Sequence, residues 1–281
     1  SDLGRCRCPA CLPESDTAYY SRLNAMAATA IRDAKPDAVL MVNMCGYLPA
    51  GQTVPRGDWQ HLQALSEQLD FLIDPGHTGP FIEREKRRKF VQSLSCAYGT
   101  SGGTWVYPPQ RWQRLRWFIP CTQRSGRHLE ALHADGGRAL EYYMGPSRNP
   151  GVEVNIAFGG RKLSDIGQHN DDVLRQVVDE LYRPCSAAAA RELVGVFHAA
   201  EDAFYENAQP RPGASADNPG QIHLTPLAGR RPGPPIYLRD RMTAQARRDY
   251  VARLFALLPP LDRLEAKCRS RGRIGRIRRC I

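Results

Sequence analysis

Short apolar segments of strand length alternate with helical segments through the first half of this 281-residue chain. Residues 38–44 and 71–74 are nearly continuous apolar runs, the pattern of strands buried on both faces of a sheet. Apolar residues recur at a helical period in residues 16–34 and 59–69, and Pro36 ends the first of these helices. Strands that alternate with helices through short connections predict an α/β fold with a parallel sheet.

The alternation continues less clearly up to residue 150. It comprises a third strand or its approach at 89–97, an aromatic-rich loop at 103–107, helical segments at 110–118 and 126–134, and a last strand at 139–144. About four βα units result, half the number in a (β/α)8 TIM barrel. Because an open edge of buried parallel strands leaves backbone groups unpaired, such a sheet needs a second half. We therefore expect residues 1–150 to form the C-terminal half of a TIM-like barrel, completed by a missing N-terminal half-barrel or an oligomeric partner.

The second half of the chain, residues 151–281, is predicted as a helical C-terminal region. Its segments are helices at 173–182, 187–208 and 243–266, a Pro/Gly-rich loop at about 210–235 and a basic tail.

The net charge of +10 is concentrated in that tail, where the last twenty residues carry eight basic and two acidic side chains. A run such as residues 276–279 could contact nucleic acid phosphates. The alternative, a solvated arginine-rich helix end, is favoured because arginines occur throughout the chain. We therefore do not expect nucleic acid as a partner.

Hydropathy and cysteine usage bear on the compartment. No run of 18 apolar residues occurs, so we expect no membrane partner. Nine cysteines are an odd number, and six of them are widely scattered, which is not the density of a disulfide-stapled secreted domain. Reduced thiols in a cytoplasmic protein are the expectation.

The other three cysteines form a C-x-C-x-x-C motif near the start of the sequence: Cys6, Cys8 and Cys11. Three thiolates at this spacing could hold a tetrahedral structural zinc ion, with Cys45, at the end of the next strand, as the fourth ligand. The alternative is a turn whose thiols are merely buried.

Three segments carry a resemblance to a known family. They are Asp2 ahead of the cysteine motif, residues 137–145 where the last strand ends on Glu141, and residues 155–182, which end on Tyr182. With these segments the sequence resembles the C-terminal portion of bacterial proteins of the DUF4838 group. These have a glycoside-hydrolase-like barrel and are distantly similar to α-glucuronidases and β-hexosaminidases. The family often has glycine after the tyrosine, where this chain has Arg183-Pro184, so we expect a different turn there.

The resemblance implies carboxylates at the C-terminal ends of barrel strands, where active sites of such barrels lie. A glycosidase needs one carboxyl group as proton donor and another as base or nucleophile. Asp2 or Glu141 is the expected acid and Asp74 the expected base. Each has a structural alternative: Asp74 precedes Pro-Gly as a turn former does, and Glu141 could pair with Arg138 or Arg148.

Aromatic faces for sugar C–H groups and polar groups for hydroxyls or a uronate complete the expected site. The substrate-binding candidates are His77, Tyr98, Trp105, Tyr107, Arg148 and Asn149, with Asn43 and Tyr47 as further additions. The predicted function is therefore hydrolysis of an O-glycosyl bond by an incomplete chain, with a carbohydrate ligand and no required cofactor. The alternative is a non-catalytic carbohydrate-binding or structural barrel fragment.

Overall fold

The computed structural model describes residues 5–44, 47, 54–74, 84–101, 118, 120–141, 149–207 and 242–281. They belong to two compact units, one made of Ser1–Gly102 and Ala131–Glu141 and the other of Gly103–Glu130 and Tyr142–Ile281. The segments expected at 103–107, 110–117 and 210–235 lie outside the described residues.

The first unit is built on a four-stranded parallel sheet in the order β1-β2-β3-β4. The strands are β1 (Met41–Asn43), β2 (Phe71–Asp74), β3 (Ala97–Ser101) and β4 (Ala139–Glu141). The helices are α1 (Asp16–Ala34), α2 (Trp59–Ser66), α3 (Arg84–Gln92) and α4 (Thr122–Ala134), and α4 contributes residues to both units. Each pair of successive strands is connected through a helix, so the predicted mixed α/β fold with a parallel sheet is confirmed.

Helices cover one face of this sheet. Leu72 of β2 and Tyr98 of β3, which share a register row, belong to the same buried cluster as Leu62 of α2, Phe90 of α3 and Leu132 of α4. Successive side chains of a strand point to opposite faces. Residues in the neighbouring rows therefore point away from these helices.

The opposite face is concave and closely packed. In the row Asn43, Ile73, Gly99 and Ala139, a Cβ added at Gly99 would lie 2.7 Å from Ile73 Cδ1 and 2.6 Å from the Ala139 carbonyl oxygen. Only glycine fits this position, because the neighbouring strands bring their atoms over it. The sheet thus curves as in part of an α/β barrel.

The prediction of a strand or its approach at 89–97 is wrong for most of its length. Residues 89–92 belong to α3, and β3 starts at Ala97. Five of the nine residues of α3 are Lys or Arg and one is Glu, which favour a helix, and Phe90 provides its buried anchor. Arg87 on the same helix is also buried, and its Nε lies 2.9 Å from Asp135 Oδ2.

The second unit is helical in the part that the structure describes. Besides the start of α4 it contains α5 (Pro150–Ser164), α6 (Asn170–Tyr182), α7 (Ala187–Tyr205), α8 (Ala244–Phe255), α9 (Leu258–Lys267) and α10 (Arg271–Cys280). One apolar cluster includes residues from all of α5 to α10. Helices fill this region as the sequence predicts, and α5 and α10 add to the helices that were expected individually.

The single helix expected at 243–266 is instead two helices, α8 and α9. The break falls just before Pro259 and Pro260, which occupy the first turn of α9. A proline lacks an N–H group and would interrupt one continuous helix, whereas the first turn of a new helix tolerates it.

The turn after α6 keeps a conformation that favours glycine, although the residue is Arg183. Its φ and ψ are 51° and 60°, in the left-handed region. The segment is held by backbone hydrogen bonds to the turn after α9: Cys185 N–H donates to the Lys267 carbonyl over 2.8 Å and Arg269 N–H to the Arg183 carbonyl over 2.9 Å. Pro184 and Cys268 form an antiparallel bridge between these bonds.

Candidate functional site

Glu141 and Asn43 meet on the concave face at the C-terminal ends of β4 and β1. Asn43 Nδ2 donates a hydrogen bond to Glu141 Oε2. In a flat sheet these strands would be about 14 Å apart, farther than the two side chains reach together. The contact therefore follows from the curvature of the sheet, and it brings an amide and a half-buried carboxylate together at the edge where α/β barrels carry their active sites.

Asp74 lies on the other face. It shares a register row with Thr100 and Leu140, one row away from Glu141, so the two carboxylates point to opposite sides of the sheet. Tyr98 Oη donates a 2.6 Å hydrogen bond to Asp74 Oδ2 within the helix-covered core. Burial is the main cause that raises the pKa of Tyr98 well above its ordinary value. The structure does not bring Asp74 and Glu141 together around one ligand.

Tyr98 and Tyr47 are core residues in this fold. Tyr98 is 1% exposed and packs edge-on against Phe90. Tyr47 is also 1% exposed, and its hydroxyl accepts a 2.6 Å hydrogen bond from Asn24 Nδ2. Neither ring offers a face to a sugar.

Asn149 caps a helix. Its Oδ1 accepts hydrogen bonds from the Gly151 and Val152 N–H groups at the start of α5, at 2.9 and 3.3 Å. This is a common role for asparagine, since the first N–H groups of a helix have no partner within it. The other expected site residues, Asp2, Cys45, His77, Trp105, Tyr107 and Arg148, lie outside the described residues.

Arg138 is one of the two arginines that the sequence suggests as partners of Glu141. Its guanidinium donates to two backbone carbonyls, Gly137 at 2.7 Å and His133 at 3.1 Å. The hydrogen bond between Glu141 and Asn43 cannot be predicted from the sequence, because strand spacing alone places β1 and β4 far apart.

Cys6, Cys8 and Cys11 converge as the spacing suggested. Their Sγ atoms all lie within 4.8 Å of one another, so the three thiols could hold a metal ion. Cys6 and Cys8 are exposed and Cys11 is half-buried. All eight cysteines that the structure describes carry free thiols.

A set of polar contacts fastens this cysteine turn to the start of α1. Arg5 Nη1 lies 2.8 Å from Asp16 Oδ1, and its Nη2 donates to the Cys11 carbonyl. The Cys6 N–H donates to Tyr19 Oη over 3.2 Å. Because Asp16 and Tyr19 belong to α1, the helix helps to position the thiols. A C-x-C-x-x-C motif predicts the ligands but does not reveal these supporting residues.

The electrostatics of the turn favour a thiolate. Hydrogen bonds, first from the Cys11 backbone N–H and then from the Cys6 thiol, lower the pKa of Cys8 to about 7. The same network, led by the hydrogen bond with the Cys8 thiol, raises the pKa of Cys11. Arg22 interacts with Cys11 and pairs with Glu14 at 2.8 Å, which lowers the pKa of that carboxyl.

Several arginines of the basic tail are engaged in ion pairs within the second unit. Arg273 and Arg276 pair with Glu153 of α5, the latter at 3.2 Å. Arg278 pairs with Asp262 and Glu265 of α9, each at 2.7 Å. These acids neutralise part of the positive charge that a nucleic acid would need.

Together these features define an α/β protein with a four-stranded parallel half-barrel sheet and a cysteine cluster able to bind a metal ion. Comparisons with protein-family models, with curated proteins and with solved structures give no match. Within the described ranges, no helix combines the length and the apolar character needed to cross a membrane.

Proposed function

We propose that this chain is part of a carbohydrate-active, glycoside-hydrolase-like protein with a TIM-type barrel, as its resemblance to the DUF4838 group implies. The single observation that supports this proposal is the Asn43–Glu141 hydrogen bond on the concave face, at the C-terminal end of the strands. A carboxylate held by an amide at that edge is suited to bind sugar hydroxyls or to protonate a glycosidic oxygen.

Glu141 is the acid in this proposal. It is the one carboxylate that the four strands direct to the concave face. The second carboxylate must therefore come from elsewhere. Asp2, or a residue of a second half-barrel, would supply this second carboxylate. Asp74 would have a structural role in the sheet, through its hydrogen bond with Tyr98, and no role in the reaction.

The test uses the 281-residue chain, a panel of aryl glycosides and uronides, and the matching free sugars. Hydrolysis that is lost in Glu141→Gln but kept in Glu67→Gln, an exposed carboxylate of the same unit, supports the enzyme. Sugar binding that Glu141→Gln weakens, without hydrolysis, supports the alternative of a non-catalytic carbohydrate-binding barrel. If the chain neither cleaves nor binds any of these sugars, both proposals fail for this chain.

The cysteine cluster is a second candidate site, for a structural zinc ion, because its three Sγ atoms already converge within 4.8 Å. Cys6, Cys8 and Cys11 would bind Zn²⁺ as thiolates, and the fourth ligand would lie outside this group. The metal–thiolate bonds would cross-link the turn and stabilise it. The ion would act on stability and not on hydrolysis.

Metal analysis of protein purified under reducing conditions tests this site. We expect bound zinc and, after exchange with Co²⁺, the charge-transfer absorption of cobalt thiolates. Cys6→Ser should abolish both, and Cys185→Ser, which changes an exposed cysteine of the second unit, should leave both intact. Absence of zinc and of the cobalt signal from the unmodified chain would refute the metal site.

A further inference from the structure

Within the cysteine turn, Cys8 and Cys11 have the spacing of a disulfide pair. The N–H groups of Cys11 and Leu12 donate to the Cys8 carbonyl over 3.0 and 2.9 Å, so Cys8-Pro9-Ala10-Cys11 forms one tight turn. Such a turn brings its first and fourth Cα atoms to less than about 7 Å, and a disulfide needs roughly 4.4–6.8 Å. Their Sγ atoms lie within 4.8 Å and need only side-chain rotation to bond.

The surroundings of the two thiols also suit exchange chemistry. Cys8 is exposed and can be approached by an external disulfide, whereas Cys11 is half-buried behind it. The Arg5 guanidinium donates to the Cys11 carbonyl and so holds the backbone of the turn in place. An exposed thiol with a second thiol close to it suits thiol–disulfide exchange, whose rate depends on access to the attacking sulfur.

We propose that Cys8 and Cys11 form a reversible dithiol–disulfide pair that exchanges electrons with low-molecular-weight disulfides. This activity goes beyond the proposed hydrolase function. It uses two of the three proposed zinc ligands, so disulfide and bound metal exclude each other.

The reaction has two displacement steps. The Cys8 thiolate attacks one sulfur of the external disulfide, the external S–S bond breaks, and one external thiolate leaves as the mixed disulfide on Cys8 forms. The Cys11 thiolate then attacks Cys8 Sγ and releases the second external thiolate. The protein loses two thiol protons and two electrons, and the external disulfide is reduced to two thiols.

Cys6 is the competing thiol, since its Sγ lies within the same 4.8 Å group. It is only two residues from Cys8 and no turn hydrogen bond joins the two, whereas one joins Cys8 to Cys11. The inference therefore assigns the disulfide to Cys8 and Cys11.

The experiment treats the reduced, chelator-stripped chain, its metal content verified as zero, with glutathione disulfide and follows intact mass and peptide maps. We expect loss of the two thiol hydrogens and a Cys8–Cys11 cross-link. Cys11→Ser should instead accumulate glutathione on Cys8. Cys185→Ser, which changes an exposed cysteine of the second unit, is the control and should still form the Cys8–Cys11 cross-link.

Three results would overturn the inference: a cross-link that joins Cys6 to either neighbour, absence of a Cys8–Cys11 cross-link from the glutathione-treated chain, or a Cys11→Ser variant without trapped glutathione. Failure of the proposed disulfide pair can be distinguished from failure of the proposed zinc site. Zinc content is measured on untreated protein, and added Zn²⁺ should slow exchange only if the metal site exists.

Discussion

The Tyr98 hydroxyl donates a 2.6 Å hydrogen bond to the Asp74 carboxylate on the helix-covered face of the parallel sheet. Asp74 is 7% exposed and Tyr98 is 1% exposed, so each needs a polar partner on folding. The pair joins the last residue of β2 to Tyr98 near the start of β3, and it explains why a carboxylate occurs at the end of a buried strand.

Tyr98→Phe should lower the free energy of unfolding of the first unit by about 1–3 kcal/mol, because it leaves a buried carboxylate without this donor. Chemical denaturation followed by circular dichroism measures the effect, and Glu67→Gln, which alters an exposed carboxylate, is the control. A Tyr98→Phe variant of unchanged stability would argue against a structural role for Asp74.

Gly99→Ala should destabilise the first unit by about 1–3 kcal/mol, because the new methyl group would overlap the Ala139 carbonyl oxygen and the Ile73 side chain. Gly57→Ala is the matched control, since a Cβ there meets nothing within 4 Å and should change stability by less than about 0.5 kcal/mol. Equal effects of the two substitutions in thermal unfolding would contradict the close packing of the concave face.

Glu201→Gln should destabilise the second unit by about 1–3 kcal/mol. The Glu201 carboxylate, 1% exposed, accepts from the N–H groups of Thr122, Gln123 and Arg124 at 2.7, 3.1 and 3.0 Å and so caps α4 from α7. Charge at a helix N-terminus adds to these bonds. Asp202→Asn changes the neighbouring, 49% exposed carboxylate and should cost little in the same denaturation assay.

Arg183→Gly should stabilise the second unit by about 1 kcal/mol, because glycine adopts the left-handed backbone found at residue 183 without the steric cost of a Cβ. Arg183→Ala removes the same side chain but keeps the Cβ, so it should not gain stability. Melting temperatures of the two variants distinguish these outcomes, and a gain in Arg183→Ala alone would refute the explanation.

Alkaline pH should unfold both units. Burial raises the pKa of Tyr47 to about 12, and it also raises the pKa values of Tyr98, Tyr182, Tyr205 and Tyr250. Unfolded tyrosine ionises near pH 10, so above about pH 10 the unfolded chain loses protons that the folded chain keeps, and stability falls as pH rises. Phenolate absorbance should increase together with the loss of helical circular dichroism, whereas ionisation ahead of unfolding would contradict the burial.

Sequence patterns predicted the regular parts of this fold because periodicity reports burial. The boundaries of α1 and β2 follow from apolar spacing and from the proline after α1. α3 was missed as a helix because its residues are mostly charged, which leaves little apolar pattern to read.

The candidate site was harder to predict because it depends on strand register. Asp74 and Glu141 both end strands, yet register places them in adjacent rows and hence on opposite faces. A shift of one residue reverses the face of every side chain, and no local pattern fixes that choice. The cysteine cluster could be predicted because its three ligands are close together in the sequence.

The backbone bonds between residues 183–185 and 267–269 set an order of events during synthesis. The turn after α6 leaves the ribosome well before α9 exists, so its Cys185 N–H and Arg183 carbonyl must wait for partners that are made later. The helical unit can therefore complete its fold only after Arg269 has emerged. Until then water satisfies the unpaired backbone groups, and the apolar faces of the nascent helices stay exposed unless a chaperone binds them.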